Sequence, residues 1–188
     1  MDIGIIVIGD ELLIGQVVDT NSGDIARMIA PAGWQVGEVR AVHDDAAAIK
    51  GAIEELTSRY NVVISTGGLG PTKDDITKAT LRDIFGGEMR LDTGVLAHVE
   101  GVFEKRGLKM NSLTRSQAMV PDSCVVIPNE LGTAPVMWFE RGGKVLVAMP
   151  GVPFETRHAF AREVLPRLLD RFADRCVLGH RTLVVADI

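Results

Sequence analysis

Short apolar runs rich in β-branched residues alternate along the chain with longer stretches whose apolar positions recur every three or four residues. Residues 3–8 (IGIIVI) form a continuous run bounded by Gly9, the pattern of a buried parallel strand. Residues 20–30 predict a helix with Ile25, Met28 and Ile29 on one side and Gly33 to close it. Residues 34–42 (WQVGEVRAV) alternate apolar and polar like a strand. Over 46–58, Ile49, Ala52, Ile53 and Leu56 mark one face of a helix that Asp44 or Asp45 would cap. NVVIS (61–65) is the next strand, followed by a glycine-rich segment and a helix running to Ile84-Phe85, where Gly86-Gly87 stops it. A helix over 93–105 ends before Gly107, and short strands are expected at 124–127, 135–139 and 144–149. The last helix, 153–172, carries Ala161, Val164, Leu165, Leu168 and Leu169, with Pro166 expected to bend it.

Strands separated by helices of this length imply right-handed βαβ crossovers, hence a three-layer α/β/α domain with a mainly parallel sheet covered on both faces. The expected organisation is one domain over 1–175 and a terminal strand in 176–188. That strand (RTLVVADI) either closes the domain or leads toward a further C-terminal region. A chain of 188 residues, 46% of them hydrophobic, suits a single sizeable core. Aromatic residues at 5% and a net charge of −5 argue against nucleic acid and anionic membrane as partners. The N-terminus MDIGIIVIGDELL has acid where a signal peptide needs base, and its apolar run is too short to span a bilayer, so a cytoplasmic protein is expected. Cys124 and Cys176 sit in apolar runs and read as reduced core thiols. His43, His98, His158 and His180 form no zinc-binding spacing, and Ser65 and Ser116 lack a nucleophile elbow.

The chemistry is expected in loops at strand ends, where open α/β sheets bind ligands. Three such segments pair a glycine turn with a carboxylate: GDELLIGQVVDTN (9–21), TGGLGPTKDDIT (66–77) and MPGVPFE (149–155). The second fits neither GxxxxGK[ST] nor GxGxxG, so neither a P-loop nor a standard dinucleotide fold is indicated. It can still serve a phosphate: Thr66, Gly67, Gly68 and Gly70 allow close backbone approach, and Lys73 neutralises an oxygen. Asp74 and Asp75 beside such a turn make sense if a cation sits between them and the phosphate, with Glu11 or Asp10 as further ligands. Each element has a plainer reading. Asp74 or Asp75 is also a good helix cap, Thr20 or Asn21 could cap the helix after residue 20, Asp10 could be a turn residue, and Glu155 suits the first turn of the last helix. Asn21, Gly151 and Pro153 complete the candidate ligand-binding set. Asn111, Gln117 and Asn129, in a segment rich in turn formers and amides, could contact a base or pterin or be structural.

Taken together, GDELLIGQVVDTN, STGGLGPTKDDIT, the pair NSLTRSQAMVP and IPNELGTAP, and MPGVPFE resemble the N-terminal, molybdopterin-binding-like domain of the competence/damage-inducible CinA family. That domain is related to the molybdenum-cofactor proteins MoaB and MogA. The resemblance covers residue 3 to about 160 and implies a homo-oligomeric domain that binds a nucleotide or pterin at these loops. It implies a Mg²⁺-dependent pyrophosphatase that hydrolyses ADP-ribose, or a related nucleoside diphosphate compound, to AMP and a sugar phosphate. Another divalent ion or a monovalent cation is an alternative cofactor. Asp75, the position shared with MoaB and MogA, and Asp74 are then the catalytic candidates. Two alternatives follow from the same resemblance: molybdopterin binding with adenylyl transfer, or a non-catalytic oligomeric nucleotide-binding module. The nicotinamide-mononucleotide deamidase of many CinA proteins belongs to a further C-terminal domain and is not carried over. One departure stands out, Val136 where the family commonly has glycine after GTAP.

Overall fold

The computed structural model describes residues 1–70 and 76–172. Its centre is a six-stranded sheet in the order β2-β1-β3-β8-β7-β6. These strands are β1 (Asp2–Ile8), β2 (Gln35–Val42), β3 (Val62–Gly67), β6 (Val125–Ile127), β7 (Val136–Arg141) and β8 (Lys144–Met149). β2, β1, β3 and β8 run parallel, while β7 is antiparallel to both neighbours. β7 and β8 form a hairpin through Gly142-Gly143, both at positive φ, which makes the reversal possible in two residues. A second, two-stranded antiparallel sheet pairs β4 (Met89–Leu91) with β5 (Met119–Pro121), two strands the apolar pattern does not signal.

Period-2 geometry divides β1 between two cores. Ile3, Ile5 and Val7 face Ile25 and Ile29 of α2 (Asn21–Ile29), together with Phe160, Val164 and Leu168 of the final helical segment. Ile6 and Ile8 face Ile49, Ile53 and Leu56 of α3 (Ala46–Arg59), with Leu81 of α4 (Ile76–Phe85) and Phe139. α2 therefore crosses on one face of the sheet and α3 on the other. The chain turns outward to β2 after β1, then passes back over β1 to enter β3. The carboxyl ends of β1 and β3 are thus a switch point, where successive loops diverge to opposite faces and leave a crevice.

Asp45, rather than Asp44, caps α3, its carboxylate accepting from the amides of Ala47 and Ala48. Neither Thr20 nor Asn21 caps α2 by its side chain; Asp19 accepts from the Ser22 amide instead. Gly33, at φ 73°, ends a 3₁₀ turn (Ala30–Ala32) that extends α2. The final helix begins as α7 (Pro153–Ala159), widens through a π segment at Phe160–Val164, and resumes as α8 (Leu165–Arg171). The Leu165 amide reaches back five residues to the Phe160 carbonyl, just before Pro166. Widening the turn is how the helix continues past a proline that cannot donate. Three further helices are α1 (Asp10–Leu13), α5 (Thr93–Lys105) and α6 (Ser112–Ser116). Among the described residues, no helix is long and apolar enough to cross a membrane. Cys124 is a buried free thiol whose pKa burial pushes up to about 11. Cys176, His180 and the expected strand in 176–188 lie outside the described residues.

Candidate functional site

The loops after β1, β3 and β8 meet at the switch point around a cleft of about 390 Å³. Glu11, Val17, Val18, Asp19, Thr20 and Asn21 line it from the first loop. Thr66, Gly67, Gly68 and Gly70 contribute from the second, and Gly151, Val152 and Pro153 from the third. The structure therefore brings together Thr66, Gly67, Gly68, Gly70, Asn21, Gly151, Pro153 and Glu11. Asp10 is not among them: it is exposed and pairs with His43 Nδ1 at 2.7 Å. Lys73, Asp74 and Asp75 lie outside the described residues, in the stretch that joins Gly70 to α4.

Packing explains two of the glycines. Gly67 sits at φ 92°, and a Cβ there would overlap the carbonyl oxygen of Ile8 in the neighbouring strand. Gly68, at φ 68°, faces the Thr77 hydroxyl, which a side chain would displace. Among the described residues Gly70 meets nothing within 4 Å, so none of them requires a glycine at that position. Gly151 lies close beneath the second loop, where a Cβ would stand 3.2 Å from Gly67 Cα.

Asn21 ties the first loop to the third. Its Nδ2 donates to the Gly151 carbonyl at 2.9 Å. Its Oδ1 is buried and has no partner among the described residues, and the same holds for the hydroxyls of Ser22, Thr66 and Thr77. Leaving one such group unpaired costs about 1–3 kcal/mol, and four of them gather around one glycine turn and its facing loop. Buried polar atoms without partners belong where something else supplies the bond.

A fixed ion pair supports the cleft from behind. Asp24 on α2 accepts from Arg157 Nε of α7 at 2.9 Å and also pairs with Arg27. Those bonds hold its carboxyl below the usual carboxylate range. Both α2 and α7 begin at the cleft, so this bridge joins two of its walls.

The three amides left open by sequence separate cleanly. Asn111 caps α6, accepting from the Thr114 amide at 2.8 Å. Asn129 is fully engaged: Nδ2 donates to the Ala134 carbonyl (3.0 Å) and to Glu155 Oε2 (2.8 Å), and Oδ1 accepts from the Leu131 amide (3.2 Å). Gln117 is fully buried, with both amide atoms unpartnered among the described residues. Its backbone carbonyl and that of Ser116 accept from Lys78 Nζ at 3.2 and 3.3 Å. Lys78 is itself fully buried in the first turn of α4. The lysine thereby fastens the 111–121 segment to the helix that follows the glycine turn. Sequence reasoning missed this role, and no periodicity flags it, since a lysine at that point reads as solvent-facing.

Glu155 does more than favour a helix start. It holds the loop 129–134 through Asn129 and packs against Gly132, where a Cβ would overlap its carboxylate. His98 binds the Gly132 carbonyl (2.9 Å) and His158 binds Glu130 (2.9 Å), lowering the Glu130 pKa. This loop lines a separate hollow of about 330 Å³ against α5 and shares no lining residue with the cleft. A third hollow, about 320 Å³, lies by Lys144 and Val145 at the amino end of β8, away from the glycine motifs.

An open α/β sheet with glycine turns converging at its switch point defines a small-molecule-binding domain. A family model described as "Probable molybdopterin binding domain" matches residues 4–170, and the chain belongs to that family. Within it, the chain is 40% identical over 183 residues to a CinA-like protein of Flavobacterium psychrophilum, an alignment covering 96% of this chain and 43% of the relative. It is 44% identical over 191 residues to one of Gemmatimonas aurantiaca, covering 100% and 45%. The chain thus spans less than half the length of these curated relatives. Among solved structures, the protein CinA from Thermoplasma acidophilum superposes with a TM-score of 0.75 at 32% identity, over 90% of this chain and 96% of that one. The molybdopterin biosynthesis enzyme MoaB from Thermus thermophilus superposes at 0.61 with 19% identity, over 92% and 97%, and so shares the fold.

Proposed function

We propose that this domain is a metal-dependent pyrophosphatase acting on ADP-ribose or a related nucleoside diphosphate compound, releasing AMP and a sugar phosphate. The observation that carries this reading is the glycine turn after β3, pressed against Ile8 and Thr77 and open to a cleft that Glu11 also lines. Backbone amides at such a turn suit a phosphate, and a carboxylate in the same cleft suits a phosphate that arrives with a cation. The donor set fits a hard divalent ion such as Mg²⁺. The described residues around the cleft offer carboxylate, hydroxyl and backbone oxygens, with no histidine or cysteine. They hold no cluster of three metal-ligating side chains, so the set is completed in this proposal by Asp74 and Asp75. Glu11 is preferred to Asp10, which is turned to His43. Bound there, the ion would neutralise charge on the diphosphate.

In the reaction, water attacks one phosphorus, the bond from that phosphorus to the bridging oxygen breaks, and the oxygen leaves with the other phosphate. A carboxylate, Asp75 by first choice, takes the proton from water. The glycine amides and Lys73 offset the charge that develops on the attacked phosphoryl group. The test is AMP release from ADP-ribose with Mg²⁺ present and withheld. Metal-dependent AMP that disappears in Asp75→Ala, with the circular dichroism spectrum unchanged, is the expected result. No AMP from well-folded protein overturns the reading. Molybdopterin binding is the second reading, favoured by the family's description and by the apolar wall of Val17, Val18 and Val152, against which a planar ring would pack. A fluorescent pterin that co-purifies with the protein would support it.

A further inference from the structure

We propose that the Asn21 side of the cleft reads a sugar hydroxyl of the ligand through the amide oxygen, so that Asn21 determines specificity. This rests on the cleft being the ligand site of the proposed function. An asparagine offers two donors and an acceptor, and the sequence alone leaves open which end meets the ligand. The structure assigns them. Nδ2 gives one of its two N–H groups to the Gly151 carbonyl, and the amide atom with no partner among the described residues is Oδ1, which can only accept. The ionised oxygens of a diphosphate ester also only accept and gain nothing from such an atom; a sugar hydroxyl donates to it. Asn21 is 94% buried, its relative exposure being 6%, and it lines the cleft wall.

The neighbours have the same sign. Glu11 and Asp19 on this loop are carboxylates, and Asp19 Oδ1 already accepts from the Ser22 amide. From the second loop, the cleft is lined by the Gly67-Gly68 turn and by Thr66, whose hydroxyl has no partner among the described residues and can donate or accept. The cleft is therefore polarised. The turn after β3 suits the phosphate, and the loop after β1 suits a hydrogen-bond donor on the group attached to it. A polyhydroxylated sugar phosphate matches both walls, whereas inorganic phosphate matches one.

The test uses D-ribose 5-phosphate, 2-deoxy-D-ribose 5-phosphate and inorganic phosphate as probes, titrated into ¹⁵N-labelled protein and followed at the Gly67, Gly68 and Gly151 amides. Ribose 5-phosphate should bind about tenfold more tightly than phosphate. In Asn21→Leu that preference should fall to about twofold or less while phosphate binding persists. Asn21→Asp keeps an acceptor and should retain part of the preference, so its loss in both variants alongside an altered amide spectrum reads as misfolding of the loop. The wild-type comparison then decides alone. Equal affinity for sugar phosphate and phosphate overturns the proposal, as does a preference that survives in Asn21→Leu or the absence of binding by any probe. The 2-deoxy sugar locates the hydroxyl: weakened binding marks the 2-hydroxyl, and undiminished binding marks another. None of these readouts requires turnover. A protein that prefers ribose 5-phosphate but releases no AMP keeps this inference and loses the pyrophosphatase reading.

Discussion

Asn21, at the start of α2, and Asn129, in the loop before β7, are both buried asparagines, and the structure treats them oppositely. Asn129 has its amide oxygen and nitrogen engaged, and it locks residues 129–134 to Glu155. Asn21 donates one N–H to Gly151, and its oxygen is without a partner among the described residues, as are the hydroxyls of Ser22, Thr66 and Thr77. A buried amide with every bond made is scaffold. One with a bond missing at a cleft is a place where a ligand can be stabilised at little conformational cost, because the side chain is already held. Residue type alone does not separate the two asparagines; their hydrogen bonds do.

Three substitutions sharpen that contrast, from the largest expected effect downward. Gly67→Ala tests the rigid part of the cleft. It forces a side chain into the left-handed region and onto the Ile8 carbonyl, so β1 and β3 must separate locally. Strain and lost sheet packing together should cost about 3 kcal/mol or more, seen as a lower urea midpoint. A variant as stable as wild type would show that the turn is free to move. Asn129→Leu should cost about 2–3 kcal/mol, since it strands the Ala134 carbonyl and removes the Glu155 partner. Its effect should appear in stability with ligand affinity at the cleft nearly unchanged. Asn21→Leu should invert this pattern. It forfeits one hydrogen bond, about 1 kcal/mol of stability, but removes the open acceptor and with it sugar-phosphate preference. If Asn129→Leu and Asn21→Leu give the same ratio of stability loss to affinity loss, the distinction between scaffold and site collapses.

Much of the fold could be read from the apolar pattern because long elements carry redundant signals. α3 shows this best: four apolar positions on one face and an aspartate cap all agree, and the helix runs Ala46–Arg59. β1, β3 and β8 were equally plain as unbroken apolar runs. β4 and β5 were not, because three-residue strands are too short to establish a period and their pairing joins Leu91 to Met119 across two helices, α5 and α6. At the site, the convergence of three glycine loops followed from the rule that ligands gather at strand carboxyl ends. Which atoms remain free did not follow, since that depends on partners far away in sequence. Asn21 is matched to Gly151, Glu155 to Asn129, and Lys78 to Ser116 and Gln117. Asp10 shows the same limit from the other side, being adjacent to Glu11 in sequence yet directed at His43.

The smallest expected effect, and the one with the clearest sign, concerns the bridge that joins the walls behind Asn21. Asp24 is held below its ordinary pKa chiefly by the hydrogen bond from Arg157 and next by that from Arg27. A carboxylate with a depressed folded-state pKa binds fewer protons folded than unfolded in the window between the two values. Its contribution is therefore complete above the ordinary value near 3.8 and is lost as pH falls through the lower folded value. Stability measured by urea at pH 7 should then drop in Asp24→Asn, which keeps the shape but loses the charge. The difference between variant and wild type should narrow as the pH is taken below about 4. The cleft should register the same change. With α2 and α7 no longer bridged, sugar-phosphate binding through Asn21 should weaken modestly at pH 7, while the contacts of Asn129 remain as they were. An unchanged urea midpoint at pH 7, or a gap that widens in acid, would show that the two helices are spaced by their apolar contacts with β1 and not by the ion pair.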